Sequence, residues 1–224
     1  GLVRVASDAG NRVVLQTSVP EAIFADRARA SALDSAAAGA GALVAGPGMG
    51  LDEGARDALV AALAATPGVP TLLDADALTV LAEEPGRLAG LARDRPVVIT
   101  PHPGEMSRLT GADAGDIAGA PLDAAERLAE ETGCVVLLKG APSVVAAPGA
   151  PVLVNTVGSS DVASAGMGDQ LAGAIGAFLA AGVAPRVAAA LGLFYSGRAA
   201  ELAGRGRSLS PLDVAEYLGR AFAD

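Results

Sequence analysis

The stretch "SAGMGDQLAG" (164–173) holds a turn of small residues, then Asp169, then a long apolar run. Small residues let the backbone N–H groups of Gly166, Met167 and Gly168 converge, and the start of a helix adds partial positive charge. Such a turn can hold a phosphate or a developing oxyanion, and Asp169 beside it can take a proton from a hydroxyl. Asp is also a favoured N-cap, so a capping role competes. His102, the only histidine, stands between two prolines in "TPHPGE". A ring held in so rigid a loop can bond a substrate amide, hydroxyl or phosphate, or be purely structural. Glu105 can cap the following helix or organise the site. Lys139, the only lysine, ends the apolar run "CVVLLK". It can reach a nucleotide phosphate as a flexible point charge, or snorkel at the surface. In "LLDADAL", Asp74 and Asp76 can brace loops, cap a helix, or orient Mg²⁺ through water. "GPGMG" (46–50) allows close backbone approach but lacks the G-x-x-x-x-G-K-[ST] spacing of a P-loop.

These residues need strands and helices to hold them. "LVRVAS" and "RVVLQTSV" read as short strands. "GALVAGPGMG", "PTLLDADAL", "RPVVITPHPGE" and "CVVLLKG" each read as a buried strand running into a special loop, and "SVVAAPGAPVLVN" as a hairpin around Pro148-Gly149. "DEGARDALVAALAAT" and "LDAAERLAEETG" read as helices, the second stopped by Gly133. Further helices are expected at about 170–182, over "PRVAAALGLFYSGRAAELAG", and over "SPLDVAEYLGRAFA", capped by Ser210 with Pro211 first. This alternation predicts an α/β fold with an open, mostly parallel sheet covered on both faces. In such folds ligands sit at the carboxyl ends of the strands, where nearly all the unusual residues fall.

The 224 residues suit one domain, expected over 1–224. A net charge of −9 argues against general nucleic-acid binding. The apolar run between Asp169 and Arg186 is short for a membrane span. The single cysteine, Cys134, allows no internal disulfide, reads as a buried small hydrophobe, and fits a reducing cytoplasm. No signal peptide is visible, and Gly1 in place of Met implies a processed, trimmed or partial chain. No Cys/His cluster offers a zinc site, so no metal ligand is assigned, and no G-x-S-x-G accompanies the histidine.

In this order, "GPGMG", "DADAL", "TPHPGEMSRLTG", "LLKGAPSVV", Asn155 with Gly158, and "GMGDQLAG" resemble the ATP- or ADP-dependent NAD(P)H-hydrate dehydratases. These form a branch of the ribokinase-like superfamily, and the match runs over most of the chain. The resemblance implies a three-layer αβα fold. It implies repair of hydrated NADH or NADPH: ATP or ADP phosphorylates the ring hydroxyl, phosphate leaves, and the dihydronicotinamide returns. By this likeness Asp169 is the catalytic base and contacts the substrate. Gly48, Gly50, His102 and Asn155 also hold substrate. Lys139, Gly140, Ala141, Pro142, Ser143, Gly166, Met167 and Gly168 hold the nucleotide, which Mg²⁺ accompanies. A homo-oligomer in the cytoplasm is implied too.

Three departures accompany the likeness. The family's first strand–loop–helix unit is not matched here. "NTVGSSDVASAG" replaces the family's N-P-T-G-N-P-G-M-A-T-G-G, with Val157, Ser159 and Asp161 at the altered places. Ser196 stands where a histidine is common. Two other readings stay open: a small-molecule kinase of the same superfamily, and a non-catalytic relative that binds nucleotide or only a partner chain.

Overall fold

The computed structural model describes residues 1–84, 86–158 and 164–223. The chain opens with a βαβ unit: β1 (Arg4–Ser7), α1 (Arg12–Ser18) and β2 (Ile23–Asp26), the two strands paired in parallel. Here "RVVLQTS" is helical, not the expected strand. A short apolar run does not reveal its own period, and parallel neighbours need a crossover between them; α1 supplies it, with Val13 and Val14 facing solvent.

After α2 (Ala30–Ala37) the main sheet begins. β3 (Leu43–Ala45) leads through α3 (Glu53–Ala65) to β4 (Thr71–Leu73). Then α4 (Ala75–Ala82) and α5 (Arg87–Asp94) lead to β5 (Val97–Ile99). Next, α6 (Pro103–Thr110), α7 (Ala114–Gly119) and α8 (Pro121–Thr132) lead to β6 (Val135–Leu138). The hairpin β7 (Val144–Ala147) and β8 (Ala150–Val154) follows. The strands lie in chain order, β3 to β6 parallel and β7 and β8 antiparallel. Three helices close the chain: α9 (Met167–Ala180), α10 (Pro185–Ala203) and α11 (Pro211–Ala221). The predicted α/β class, the hairpin and the Gly133 and Ser210 boundaries all hold. α9 starts three residues before the expected position, at Met167.

The period-two alternation of strands sorts side chains to two faces. Leu73, Val97, Ile99, Val136 and Leu138 pack with Leu59, Leu78, Met106 and Leu128 from α3, α4, α6 and α8. Leu72, Val98, Val135 and Leu137 pack with Leu171, Ile175 and Leu179 of α9 and the alanines of α10. This is the predicted sheet between two helical layers. With so few aromatic residues, helices must approach closely. A Cβ on Gly192 of α10 would lie 2.4 Å from Ile175 Cγ1 and 3.2 Å from the Ile175 nitrogen of α9. We expect Gly192→Ala to push the two helices apart and cost about 1–3 kcal/mol, measured by urea unfolding; an unchanged midpoint would show that the layer yields freely.

Candidate active site

The loops that follow β3, β4, β5 and β6 all leave the same end of the parallel sheet, and α9 starts there. On the first loop, Gly46 has φ +120°, and a Cβ there would lie 1.7 Å from the Asp74 carbonyl oxygen. Only glycine lets the 46–50 loop close onto the neighbouring strand end. Asp76 accepts a hydrogen bond from the Gly50 N–H at 2.8 Å. Of the two aspartates, Asp76 therefore takes the bracing role expected of the pair.

Asp74 does something else. It makes no side-chain cap and is almost completely buried. Lys139 Nζ donates to its Oδ1 at 2.8 Å. A buried carboxylate needs such a partner, because leaving water costs several kcal/mol per ion. Lys139 also lies 3.6 Å from Glu105 Oε2. The sole lysine is therefore a partly buried cation between two buried carboxylates, not a snorkelling surface residue.

His102 is the N-cap of α6. Its Nδ1 accepts from the Gly104 and Glu105 N–H groups at 3.0 and 3.3 Å, while Glu105 Oε2 accepts from the His102 N–H at 2.8 Å. Glu105 thus both closes the capping box and faces Lys139. With Nδ1 an acceptor, the neutral ring donates through Nε2, which lies 3.6 Å from Glu105 Oε1, and half of the side chain is exposed to a ligand. Cap and ligand roles separate by substitution. His102→Asn preserves a good cap and should change Tm little, whereas His102→Ala should lose about 1 kcal/mol. If the Nε2 proton meets substrate, both variants bind substrate weakly. Equal affinity in the His102→Asn variant and the wild-type protein would reduce His102 to a cap.

At the start of α9, Gly166 is the N-cap, with φ +83° and no side-chain cap bond. Asp169 lies inside the first turn and accepts no hydrogen bond among the described residues, so the capping alternative fails. The first amides of a helix have no acceptor within it; here the Met167 N–H donates to the Ser164 carbonyl at 3.3 Å, and no partner is seen for the Gly168 N–H among the described residues. A Cβ built on Gly168 would fall 3.5 Å from Lys139 Nζ and 3.6 Å from Asp74 Oδ2, which seats this turn against the ion pair. Partial loss of water raises the Asp169 pKa most; Asp74 and then Asp76 raise it further, and Lys139 opposes them. A helix start rich in N–H donors, one ammonium and a carboxylate of raised pKa form a site suited to phosphoryl transfer from a nucleotide to a hydroxyl.

The remaining predicted residues sit around this centre. Gly140 and Ser143 close a tight turn beside Lys139: the Gly140 N–H donates to Ser143 Oγ at 3.1 Å, and that hydroxyl donates to the Gly140 carbonyl at 2.9 Å. Ala141 and Pro142 form its tip. The Asn155 N–H donates to the Ser143 carbonyl at 3.0 Å, which places Asn155 on the Lys139 side, away from the glycine loop. Its side chain folds back on Val157. Gly48 is open: a Cβ there would meet nothing within 4 Å. Ser159 and Asp161 lie outside the described residues. Ser196 is buried, with no partner for its hydroxyl among the described residues.

Sequence reasoning missed Arg27 altogether and did not foresee Asp74 as the partner of Lys139. No local signal marks either, since the contacts join residues 22 and 65 positions apart. Two grooves, of about 300 and 620 Å³, lie off this cluster, between α6, α7 and α8 and beside the start of α3. The first is largely apolar, and the second is lined by Asp8, Arg27, Asp52 and Asp57 but reaches neither Lys139 nor Asp169. Among the described residues no helix is long and apolar enough to cross a membrane.

Comparison with known proteins places the chain in a family and confirms its fold. The family model described as NAD(P)H-hydrate dehydratase matches residues 1–220. The bifunctional NAD(P)H-hydrate repair enzyme Nnr of Mycobacterium tuberculosis is 45% identical over 190 residues, which are 85% of this chain and 37% of that protein. The chain thus spans less than two fifths of that relative's length. The crystal structure of the ADP/ATP-dependent NAD(P)H-hydrate dehydratase from Bacillus subtilis, co-crystallised with ATP/Mg²⁺, superposes with a TM-score of 0.81 at 25% identity, covering 99% of this chain and 78% of that one. Ribokinase of Arabidopsis thaliana shares the fold, with a TM-score of 0.54 at 14% identity over 97% of this chain and 80% of its own. With its ribokinase-like sheet and the loops of that family at the strand ends, the chain belongs to the NAD(P)H-hydrate dehydratase family.

Proposed function

We propose that this protein returns hydrated NADH or NADPH to the dihydronicotinamide form, using ATP or ADP as phosphoryl donor. The observation that carries this reading is the seating of the α9 start, with Asp169, against the Lys139–Asp74 pair. Hydroxide is a poor leaving group and phosphate a good one. Asp169 takes the proton of the ring hydroxyl as its oxygen attacks the terminal phosphorus of the nucleotide, and the bond from that phosphorus to the nucleotide breaks. The ring carbon–oxygen bond then breaks, phosphate leaves with the electron pair, and a proton lost from the neighbouring carbon restores the double bond.

In this scheme the first amides of α9, Gly166 to Gly168, surround the moving phosphoryl group, and Lys139 with the 140–143 turn lies along the nucleotide phosphates. His102 Nε2, Gly48 and Gly50 face the hydrated cofactor. Asn155, seated on Ser143, supports the nucleotide side as much as the substrate side. The residues fit Mg²⁺ as an ion brought by the nucleotide. Among the described residues no cluster of three acidic, histidine or cysteine side chains gathers for a metal, so the nucleotide phosphates would hold the ion, with Asp169 the nearby carboxylate not tied to a cation. When bound, it supplies charge neutralisation on the phosphates. The reading extends to a homo-oligomer in the cytoplasm, with neither nucleic acid nor membrane as partner.

The test supplies hydrated NADH with Mg²⁺ and either ATP or ADP, and follows the return of dihydronicotinamide absorbance. Nucleotide-dependent recovery is the expected result and names the donor. Phosphorylation of alcohol acceptors, with no recovery, would transfer the site to a small-molecule kinase.

A further inference from the structure

The peptide group between Met49 and Gly50 is held at both ends. Its carbonyl accepts from Arg27 Nη1 at 2.7 Å, and its N–H donates to Asp76 Oδ2 at 2.8 Å. Arg27 follows β2, and its own N–H donates to the Ser7 carbonyl at the end of β1. Its guanidinium forms a fork with Asp8, Nε to Oδ1 at 2.6 Å and Nη2 to Oδ2 at 2.9 Å. The Arg27 side chain is 14% exposed, whereas that of Asp8 is 58% exposed. Meanwhile the partly buried Met49 side chain packs against the core, and its N–H closes a turn on the Gly46 carbonyl. Gly48, between these anchors, is left open.

We infer that Arg27, oriented by Asp8, and Asp76 are positioning residues that set the open face of the 46–50 loop for the hydrated substrate. The inference rests on the proposed reading, in which that loop meets the hydrated cofactor. A peptide group held at carbonyl and N–H cannot rotate, so the glycine-rich loop keeps one orientation despite its intrinsic freedom. Arg27 commits Nε, Nη1 and Nη2 to Asp8 and the Met49 carbonyl, and a planar fork does this work better than an ammonium. The contact also ties the N-terminal βαβ unit to the site, across the edge of the main sheet.

The experiment compares wild-type protein with Arg27→Met, Arg27→Lys and Asp8→Asn. It reads steady-state kinetics, Tm, and amide hydrogen exchange in peptides covering 46–52. Arg27→Met should raise KM for hydrated NADH about tenfold, leave KM for the nucleotide unchanged, and speed exchange in the loop. Arg27→Lys should fall between, and Asp8→Asn closer to wild type. Asp76→Asn is less clean, because Asp76 also acts on Asp169. Equal rises in both KM values, or a lowered Tm with KM unchanged, would make Arg27 a structural brace and overturn the inference. Should wild-type protein show no turnover, the proposed function fails. Exchange then decides the clamp by itself: a loop as protected in Arg27→Met as in wild type overturns it.

Discussion

Asp169→Asn is expected to lower turnover of hydrated NADH by about 10²–10⁴-fold, the range of a positioned general base, while the protein folds as before. Asn has nearly the shape of Asp but accepts no proton. The fold should not suffer, and the sign follows from linkage. Partial desolvation first, and Asp74 next, raise the Asp169 pKa above its unfolded value. Its contribution to stability is therefore fully present below the unfolded pKa and is lost as pH rises through the folded pKa. At neutral pH the ionised carboxylate works against folding, so the Asn variant should melt at the same temperature or higher. The same shift predicts an acidic limb in the kcat/KM–pH profile, displaced upward from the ordinary aspartate value and absent from any residual activity of the variant. Near-normal turnover in Asp169→Asn would end its role as base. A large fall in Tm would instead make Asp169 a structural residue.

Lys139→Met carries the second large effect, this time on both stability and nucleotide binding. Asp74 and Glu105 are buried, and Lys139 is their shared cation. Removing one partner of a buried pair strands the other. The cost is about 3 kcal/mol, the lower end of the usual range, because the Lys139 side chain is 22% exposed and water can partly replace the ammonium. The phosphates lose their point charge as well. We expect KM for the nucleotide to rise at least about tenfold, a loss of roughly 1.4 kcal/mol of binding. The double variant Lys139→Met/Asp74→Asn separates the two effects. It should regain most of the stability, since no unpaired charge remains at Asp74, but none of the nucleotide affinity. Recovery of both would place Lys139 in the fold alone. Full stability in Lys139→Met would show that Asp74 keeps enough water to stand without it.

The two predictions draw on different kinds of legibility. Asp169 stands out in the chain because one charge opens a long apolar helix, and Lys139 because it is the only lysine and ends a buried strand. Neither the partner of Lys139 nor the force on Asp169 can be read there. Asp74 lies 65 residues from Lys139 and meets it only because β4 and β6 flank β5 in one sheet. His102 shows the converse. Its rigid frame of prolines pointed toward a site, yet that frame is also the capping box of α6, and only geometry shows that Nδ1 is spent on the cap while Nε2 lies near Glu105 on a half-exposed side chain.

What the sequence by itself determined is therefore local and periodic. Apolar runs of strand length, helical stripes, glycine and proline stops, and special loops after each strand led to the α/β class and to the end of the sheet where the site lies. These features are legible because propensity, capping and side-chain period act within a few residues. The same locality misled at residues 12–18, where an apolar run without a clear period reads as a strand and the parallel pairing of β1 with β2 makes it a helix. The tertiary structure alone decided the rest: the Lys139–Asp74–Glu105 cluster, the raised pKa of Asp169, and Arg27 and Asp76 on either end of one peptide group. Charges find partners, and carboxylates lose water, only after the sheet has brought distant strand ends side by side.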